Sequence, residues 1–352
     1  MEPRKGLTTG TCAAAAAWVA SHFLAGLPPP KEAEAILPDG KTVFIPVNSC
    51  EGNGECARAS VIKDAGDDPD ITNGVTVEVT LRIIKDGDIV FRAGSGVGVV
   101  TKPGLAVKQG EPAINPVPRR MICEAIRRVI SMPVEVTISI PGGEMLAERT
   151  FNPKFGIKGG LSILGTTGIV RPFSLESVRE TIRCAVNVAS ASKIKNIVFV
   201  PGNIGRKAAI SHFVLREEQV IEISNEWGFA VDLLQNYSFV ALMALGHPGK
   251  LAKLIAGDWD THSSRSRSAV DIIRPLIPPD LNETVSEART VEAMLGSIPA
   301  QLLSEIGANI AEAIRLALIN RNKLINPAVV LINLRGEIIG TAGDFSQWKE
   351  RI

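Results

Sequence analysis

The sequence predicts a two-domain α/β protein, an N-terminal α+β domain with a mostly antiparallel sheet and a C-terminal α/β domain with a mostly parallel one. Three observations support this prediction. The chain has 352 residues, and single hydrophobic cores usually stop growing at about 250–300 residues. The first 155 residues contain strand-like runs separated by hairpin turns, which is typical of antiparallel pairing. After residue 174 short apolar strands alternate with helices, which indicates βαβ units and a parallel sheet.

A glycine-rich segment, GIKGGLSILGTTGIVRPFS (156–174), separates the two patterns. Glycine permits positive φ angles and close backbone approach, and Ile163 and Leu164 make the segment too apolar for a free linker. We therefore expect a packed interdomain crossover over residues 156–174, between domains 1–155 and 175–352. The crossover is also expected to form the floor of a cleft between the domains.

Composition limits the classes of function. A net charge of +1 offers no electrostatic reason to expect binding to nucleic acid or to an anionic membrane. The five cysteines are scattered and contain no CxxC pair, which argues against a disulfide framework or a zinc site and favours the cytoplasm. Residues 7–30 carry no formal charge and could be read as a secretory or membrane segment. Their alanine-rich core and His22 instead predict a buried helix.

The N-terminal helix is predicted to run to about Gly26, with Thr8–Thr11 supplying N-cap oxygens. Cys12 falls in its first turn, where the helix dipole lowers a thiol pKa. A reactive cysteine and a small buried residue are both open there, and the buried residue is favoured.

Strands are expected over 35–37, 43–47, 56–63, 75–84 and 88–93, the last two as a hairpin across residues 85–87. Residues 134–140 and 145–150 are expected to form another hairpin. The turn AGDDPDITN and the preceding Asp64 bring four aspartates together, which suggests a cation, several hydrogen-bond donors or an ordinary turn. The helix 118–130 is rich in arginine.

The segment VFRAGSGVG (90–98) loosely resembles the first motif of Rossmann-type methyltransferases. Ala93 stands where that motif has an acidic residue, and Pro103 follows where a helix should continue. A glycine-kinked strand or bulge is therefore favoured over a cofactor fingerprint.

The alternation in the C-terminal half is Rossmann-like, with strands expected at 197–200, 220–223, 240–245, 329–334 and 337–340, and late helices at 291–296 and 299–319. Three successive strands end in small and polar residues, PGNIG, SNEWG and GHPGK. Ligands of parallel sheets bind beyond the carboxyl ends of the strands, so these ends predict a binding site. GHPGK is not a Walker P-loop, because the spacing is short and Leu251 follows the lysine.

The loop DWDTHSS (258–264) contains His262 in a polar setting. A hydrogen-bonded loop histidine and a catalytic one are both open for this residue.

Several long motifs resemble one family. They are TTGTCAAAAA (8–17), VIKDAGDDPD (61–70), TKPGL and GEPAINPVPR within 101–119, ILGTTGIVRP (163–172), PGNIG (201–205) and GHPGKL with THSS within 246–264. In this order they are similar to the cobalt-precorrin-5B C-1-methyltransferase family of the anaerobic cobalamin (vitamin B12) pathway. Glu226 and Trp227, where an apolar pair is expected, and the DWDTHSS loop depart from the family.

The resemblance implies S-adenosylmethionine as methyl donor and a cobalt-bearing, multiply carboxylated tetrapyrrole as acceptor, with cobalt-precorrin-6A as product. Cobalt is expected to arrive within the substrate, since the sequence shows no ligand set for a protein metal site. In-line methyl transfer needs alignment and exclusion of water more than a protein nucleophile.

Site residues follow from the strand ends, the motifs and the charges. The donor is expected at Gly202, Asn203, Gly205, Asn225, Gly246, His247 and Gly249. The acceptor is expected at Lys63, Lys102, Asn115, Arg119, Thr166, Thr167, Gly168, Arg171 and Lys250, since ammonium and guanidinium groups bind carboxylates strongly. For proton transfer the candidates are His262, Asp64 and Asp68.

Two other classes of function stay open on the sequence. A small-molecule kinase would use the glycine-rich loops with ATP and magnesium, and a non-catalytic carrier would bind the tetrapyrrole without the donor. A homodimer also stays open.

Overall fold

The structure, a computed structural model, describes residues 3–172, 174–323 and 325–351. The chain divides into two compact units, residues 1–174 and 175–352. The glycine-rich segment 156–174 belongs to the first unit.

The described part of the first unit combines three helices with short and long strands. In chain order these elements are β1 (Gly6–Leu7), α1 (Thr9–Leu24), β2 (Glu32–Ile36), β3 (Thr42–Gly52), β4 (Cys56–Ile62), β5 (Thr76–Ile83), β6 (Ile89–Ala93), β7 (Val99–Val100), α2 (Pro116–Arg127), β8 (Val134–Ser139), α3 (Gly143–Ala147), β9 (Ile157–Lys158) and β10 (Ile169–Val170).

Helix α1 is the centre of this unit. Thr8 is its N-cap and accepts a hydrogen bond from the N–H of Thr11, as the sequence predicts. The run of alanines lets α1 lie close against the sheet and against α2, and it is almost entirely buried. This confirms the prediction of a buried helix. Among the described residues no helix is long and apolar enough to cross a membrane.

The predicted hairpin between residues 75–84 and 88–93 is wrong. The described strands form a sheet in the order β2-β3-β4-β5-β8-β6, so β8 lies between β5 and β6. Strand β8 pairs antiparallel with β5, with Val79 opposite Ile138, and parallel with β6, with Phe91 opposite Val136. The chain does reverse direction after β5. The strand that forms hydrogen bonds with β5 on this side, however, is β8 and not β6.

The second predicted hairpin is also wrong. Gly142 has φ 79°, and residues Gly143–Ala147 form α3 instead of a strand. Glu144 of this helix accepts hydrogen bonds from the N–H of Gly96 and the hydroxyl of Ser95. A carboxylate held in this way favours the helix over a return strand.

The glycines at 94–98 pack against their own unit. A Cβ on Gly94 would lie 2.0 Å from Ser139 Oγ, and one on Gly96 would lie 1.8 Å from the carbonyl oxygen of Ile140. Close backbone packing therefore accounts for these glycines without a ligand.

The second unit has strands alternating with helices. In chain order they are α4 (Leu175–Ala191), β11 (Asn196–Val200), α5 (Asn203–His212), β12 (Val220–Glu222), α6 (Trp227–Leu233), β13 (Ala241–Gly246), α7 (Pro248–Leu251), α8 (Ala269–Ile273), α9 (Asn282–Val285), α10 (Val291–Gly296), α11 (Ala300–Arg321), β14 (Asn326–Ile332) and β15 (Ile338–Ala342).

The described strands of this unit form one sheet in the order β12-β11-β13-β14-β15. Neighbouring strands are parallel except for β14 and β15, which are antiparallel. Alternate strand residues pack against α4, α6 and α11 on one face and against α5 on the other. The predicted mixed α/β class, with parallel and antiparallel sheets, is confirmed.

Candidate functional site

The sheet of the second unit has a topological switch point at its carboxyl edge. The chain leaves β11 toward β12 on one side, whereas it leaves β13 toward β14 on the other side. Chain segments that leave neighbouring strands in opposite directions open a crevice, here above β11 and β13. Ligands of such sheets bind in this crevice. The residues that the sequence predicts for the donor lie at the ends of β11, β12 and β13 that border this crevice.

The glycines at this edge differ in what surrounds them. A Cβ on Gly202 would meet nothing within 4 Å, whereas one on Gly246 would lie 2.8 Å from Pro201 Cδ. A Cβ on Gly205 would lie 3.0 Å from Val200 Cβ. Packing inside the unit therefore accounts for Gly246 and Gly205, and Gly202 leaves open space at the crevice.

The end of β12 is tied to two other loops through Asn225. Its Oδ1 accepts from Lys250 Nζ at 3.0 Å and from Thr261 Oγ1 at 3.3 Å, and its carbonyl oxygen accepts from the N–H of Thr261. The adjacent Ser224 has φ 54°, which is uncommon for a residue with a side chain. These bonds hold the SNEWG, GHPGK and DWDTHSS loops together, which their separation in sequence did not reveal.

His247 has a capping role at this edge. Its Nδ1 accepts from the N–H of Gly249 at 3.0 Å, which caps α7. Its Nε2 lies 2.9 Å from Glu292 Oε2. The neutral tautomer with its proton on Nε2 satisfies both contacts, so the ring is held in one orientation.

His262 lies on an exposed loop. Its ring Nδ1 is 2.8 Å from Ser264 Oγ. Its backbone N–H donates to Asp260 Oδ1. Asp260 is paired in turn with Arg265, and Asp258 with Arg267. Two aspartate–arginine pairs therefore hold the loop in place. The sequence did not predict these pairs.

The two residues that depart from the family pattern are buried. Glu226 is 4% exposed and its Oε2 accepts from Arg179 Nε at 2.7 Å. Trp227 is fully buried, and its Nε1 has no hydrogen-bond partner in the part of the chain that the structure describes. Both side chains are therefore buried in the interior of the second unit, next to the end of β12, and not exposed at its surface.

In the first unit the glycine-rich segment wraps the beginning of α1. The N–H of Leu164 donates to Thr9 Oγ1 at 3.0 Å, and the N–H of Gly10 donates to the carbonyl oxygen of Leu164. Thr11 Oγ1 donates to the carbonyl oxygen of Gly168 at 2.7 Å. A Cβ on Gly168 would lie 2.9 Å from Thr11 Oγ1, so this glycine serves the contact with α1.

The beginning of α2 contacts both the glycine-rich segment and the first turn of α1. The N–H of Asn115 donates to the carbonyl oxygen of Ile163, and a Cβ on Gly10 would lie 2.7 Å from Pro118 Cγ. The motifs TTGTC, GEPAINPVPR and ILGTTGIV thus converge, and we call this set of segments (8–11, 114–118 and 162–168) the α1 collar.

The aspartate-rich loop lies beside the collar. The N–H of Leu7 donates to the carbonyl oxygen of Asp64. Lys63 is buried, and its Nζ donates to Asp70 Oδ2 at 2.7 Å. Cys12 is fully buried, and burial raises the pKa of its thiol to about 12. The reading of Cys12 as a small buried residue is confirmed.

The two candidate carboxylates of this loop differ in character. Hydrogen bonds from Arg4 and from the N–H of Gly66 lower the pKa of Asp64. Burial and the neighbouring charge of Asp70 raise the pKa of Asp68. Asp68 is therefore better suited than Asp64 to take up a proton.

Of the other acceptor candidates, some contact their own unit and some are exposed. Arg119 donates to the carbonyl oxygens of Ile114 and Pro112 and pairs with Glu111, so its donors serve the unit itself. Lys102 lies against Gly156 and its Nζ lies 3.5 Å from the carbonyl oxygen of Lys154. The exposed candidates are Asn115, Thr166, Thr167 and Arg171.

No group of three or more His, Cys, Asp and Glu side chains that could hold a metal ion occurs among the described residues.

Comparisons with known proteins identify relatives along nearly the whole chain. The family model described as CbiD matches residues 1–172. A protein of Syntrophotalea carbinolica named cobalt-precorrin-5B C(1)-methyltransferase is 49% identical over 345 residues, covering 98% of each chain. A protein of Methanocaldococcus jannaschii with the same name is 40% identical and covers 96% of this chain and 95% of its own.

A solved structure of a cobalamin biosynthesis protein (CbiD) from Archaeoglobus fulgidus is 30% identical in sequence. It covers 75% of this chain and 83% of its own, with a TM-score of 0.40. With 49% identity to one relative over 98% of its length, the chain belongs to the cobalt-precorrin-5B C(1)-methyltransferase family.

Proposed function

We propose that this chain transfers a methyl group from S-adenosylmethionine to C-1 of cobalt-precorrin-5B and so forms cobalt-precorrin-6A in cobalamin biosynthesis. The chain is a C-methyltransferase by family, since relatives aligned over nearly its whole length carry that name. The described cysteines are free thiols, which supports a cytoplasmic location.

The donor is proposed to bind at the switch-point crevice of the second unit. The observation that carries this proposal is Gly202, whose missing side chain leaves open space at the end of β11. Asn203 and Ile204 are exposed beside it, so a polar and an apolar contact are available to a nucleoside. Asn225 and His247 are already held by the unit's own hydrogen bonds and would act by keeping the crevice in shape.

The bound donor supplies a methyl group on a sulfonium, which a nucleophilic ring carbon displaces in line. The protein's part is then to align two ligands and exclude water, without a covalent step of its own.

The acceptor is proposed to bind at the exposed side of the α1 collar. Thr166 and Thr167 offer hydroxyl groups, Asn115 an amide and Arg171 a guanidinium, and all four residues are exposed. Lys63 and Arg119 are proposed to support this surface and not to touch the ligand, because Asp70, Glu111 and backbone carbonyl oxygens accept from them.

Asp68 is proposed as the group that accepts a proton during the reaction. Its raised pKa brings protonation closer to neutral pH than for Asp64. His262 lies in the second unit on an exposed loop, and its proposed role is to hold that loop through Ser264.

Isothermal titration of the full chain with S-adenosylmethionine tests the donor proposal. The wild type should bind it, and Gly202→Val should lose that binding while remaining folded, because φ 167° is an extended conformation that valine adopts. The matched control is Gly54→Val, at another glycine with no atoms near its Cβ position, and it should bind normally.

Three outcomes would contradict the proposal. Binding of ATP with magnesium in place of S-adenosylmethionine would indicate a kinase, and binding of a corrinoid alone would indicate a carrier. Unchanged donor affinity in Gly202→Val would place the donor away from this crevice.

A further inference from the structure

We infer that Lys250 binds a carboxylate of one of the two reaction ligands, with Lys253 as a second, fixed ammonium group behind it. The inference rests on the proposed function and adds to it the residue that holds the ligand's negative charge.

The two lysines are neighbouring positive charges. Asp258 lies near Lys253: hydrogen bonds from Arg267 and, to a smaller extent, the charges of Arg267 and Lys253 lower the pKa of this carboxyl. Lys250 is half-buried just after β13, and its Nζ donates to the neutral amide oxygen of Asn225 at 3.0 Å. Lys253 is 5% exposed, and its Nζ donates to the carbonyl oxygen of Thr261 at 3.1 Å and to Ser266 Oγ at 2.7 Å. Among the residues that the structure describes, neither lysine forms an ion pair with a carboxylate.

The acidic side chains of this region are paired with other basic groups. Glu226 pairs with Arg179, Asp258 with Arg267 and Asp260 with Arg265, and Glu292 accepts a hydrogen bond from the neutral ring of His247. Lys250 is therefore left without a carboxylate partner among the described residues.

This arrangement is costly for the unliganded protein. Removing an ammonium from water without an opposite charge is unfavourable. The pKa of Lys250 is accordingly lowered, first by burial and then by the charge of Lys253. A ligand carboxylate would compensate the charge through a charge-assisted hydrogen bond, which is a strong kind of contact.

The position of Lys250 fits a ligand at the switch point. Asn225, its hydrogen-bond partner, lies at the end of β12 beside Ser224, whose φ is 54°. Strained backbone of this kind clusters at ligand sites. Both proposed ligands carry carboxylates, the donor in its amino-acid tail and the acceptor in its side chains, so either could supply the group.

The first experiment compares S-adenosylmethionine with decarboxylated S-adenosylmethionine by calorimetric titration of the full chain. The wild type should bind the carboxylate-free compound roughly 10- to 100-fold more weakly, the range expected for a hydrogen bond to a charged group. Lys250→Met, which keeps the length of the side chain, should bind both compounds equally weakly. Lys195→Met changes an exposed lysine before β11 and should behave like the wild type.

A second experiment distinguishes the source of the carboxylate. The same variants are titrated with cobyrinic acid and with its fully amidated derivative. If Lys250→Met removes the preference for cobyrinic acid and leaves the donor preference intact, the carboxylate belongs to the acceptor, and Lys250 is still its anchor.

Two results would overturn the inference. One is a Lys250→Met variant that binds all four compounds as the wild type does. The other is a variant that binds more weakly but keeps the wild-type preference for the carboxylate-bearing compound in both pairs, because the loss would then come from the missing contact with Asn225 and not from a ligand carboxylate. A wild type that fails to bind S-adenosylmethionine would instead contradict the proposed function.

Discussion

The buried pair of Lys63 and Asp70 allows a quantitative test of how the first unit is held together. The side chain of Lys63 is 1% exposed and that of Asp70 is 23% exposed. Removing one partner of a buried ion pair typically costs about 3–5 kcal/mol, because the other charge is left uncompensated. The two possible single substitutions leave different charges behind, so their costs should differ.

Lys63→Met leaves Asp70, which reaches solvent and keeps its hydrogen bonds from Thr72. We expect a loss near the lower limit, about 3 kcal/mol. Asp70→Asn leaves the buried ammonium of Lys63 without its ion-pair partner and with only the more distant charges of Asp64 and Asp68, so we expect a larger loss, about 4–5 kcal/mol. The double variant should lose less than the sum of the two, since neither charge then remains.

Hydrogen exchange followed by mass spectrometry measures these losses within one unit of a two-unit chain. The peptide that covers α1 (Thr9–Leu24) reports the opening free energy of the core beside Lys63. A peptide from β13 (Ala241–Gly246), in the other unit, serves as the internal control. The reasoning is refuted if Asp70→Asn costs less than Lys63→Met, or if the two losses simply add.

Three further outcomes are expected. Burial raises the pKa of Asp70, but hydrogen bonds from Lys63 and Thr72 outweigh burial and leave that pKa below its usual range. The pair therefore stabilises the first unit above about pH 4, and that stability should be lost as the pH falls through the lowered pKa, with a weaker acid dependence in Lys63→Met. Cys12, whose thiol pKa is raised to about 12 by burial, should resist iodoacetamide at pH 8 in the folded protein and react after denaturation; rapid native labelling in a mass-spectrometric time course would contradict its burial. Gly246→Val should lower the melting temperature through its clash with Pro201, whereas Gly202→Val should not, and equal thermal stability of the two variants would contradict the packing described for this edge.

The sequence by itself determined features that depend on neighbours along the chain. The N-cap of α1 at Thr8 was predictable because a capping bond spans three residues. The alternation of strands and helices after residue 174 was predictable because apolar periodicity and turn residues act locally. The long motifs also identified the family, and they included most segments of the α1 collar, although not the fact that these segments meet.

Tertiary structure alone decided which strands are neighbours and which polar groups are already paired. Strand β6 pairs with β8 and not with β5. The two paired strands are more than forty residues apart in the chain, so local sequence does not reveal their pairing. Gly202 and Gly246 look alike in sequence, but the environment around each missing side chain differs. Lys250 differs from a surface lysine because it is half-buried and because Glu226, Asp258 and Asp260 around it pair with arginines. Burial and charge compensation are sums over residues distant in sequence, so only the folded chain reveals them.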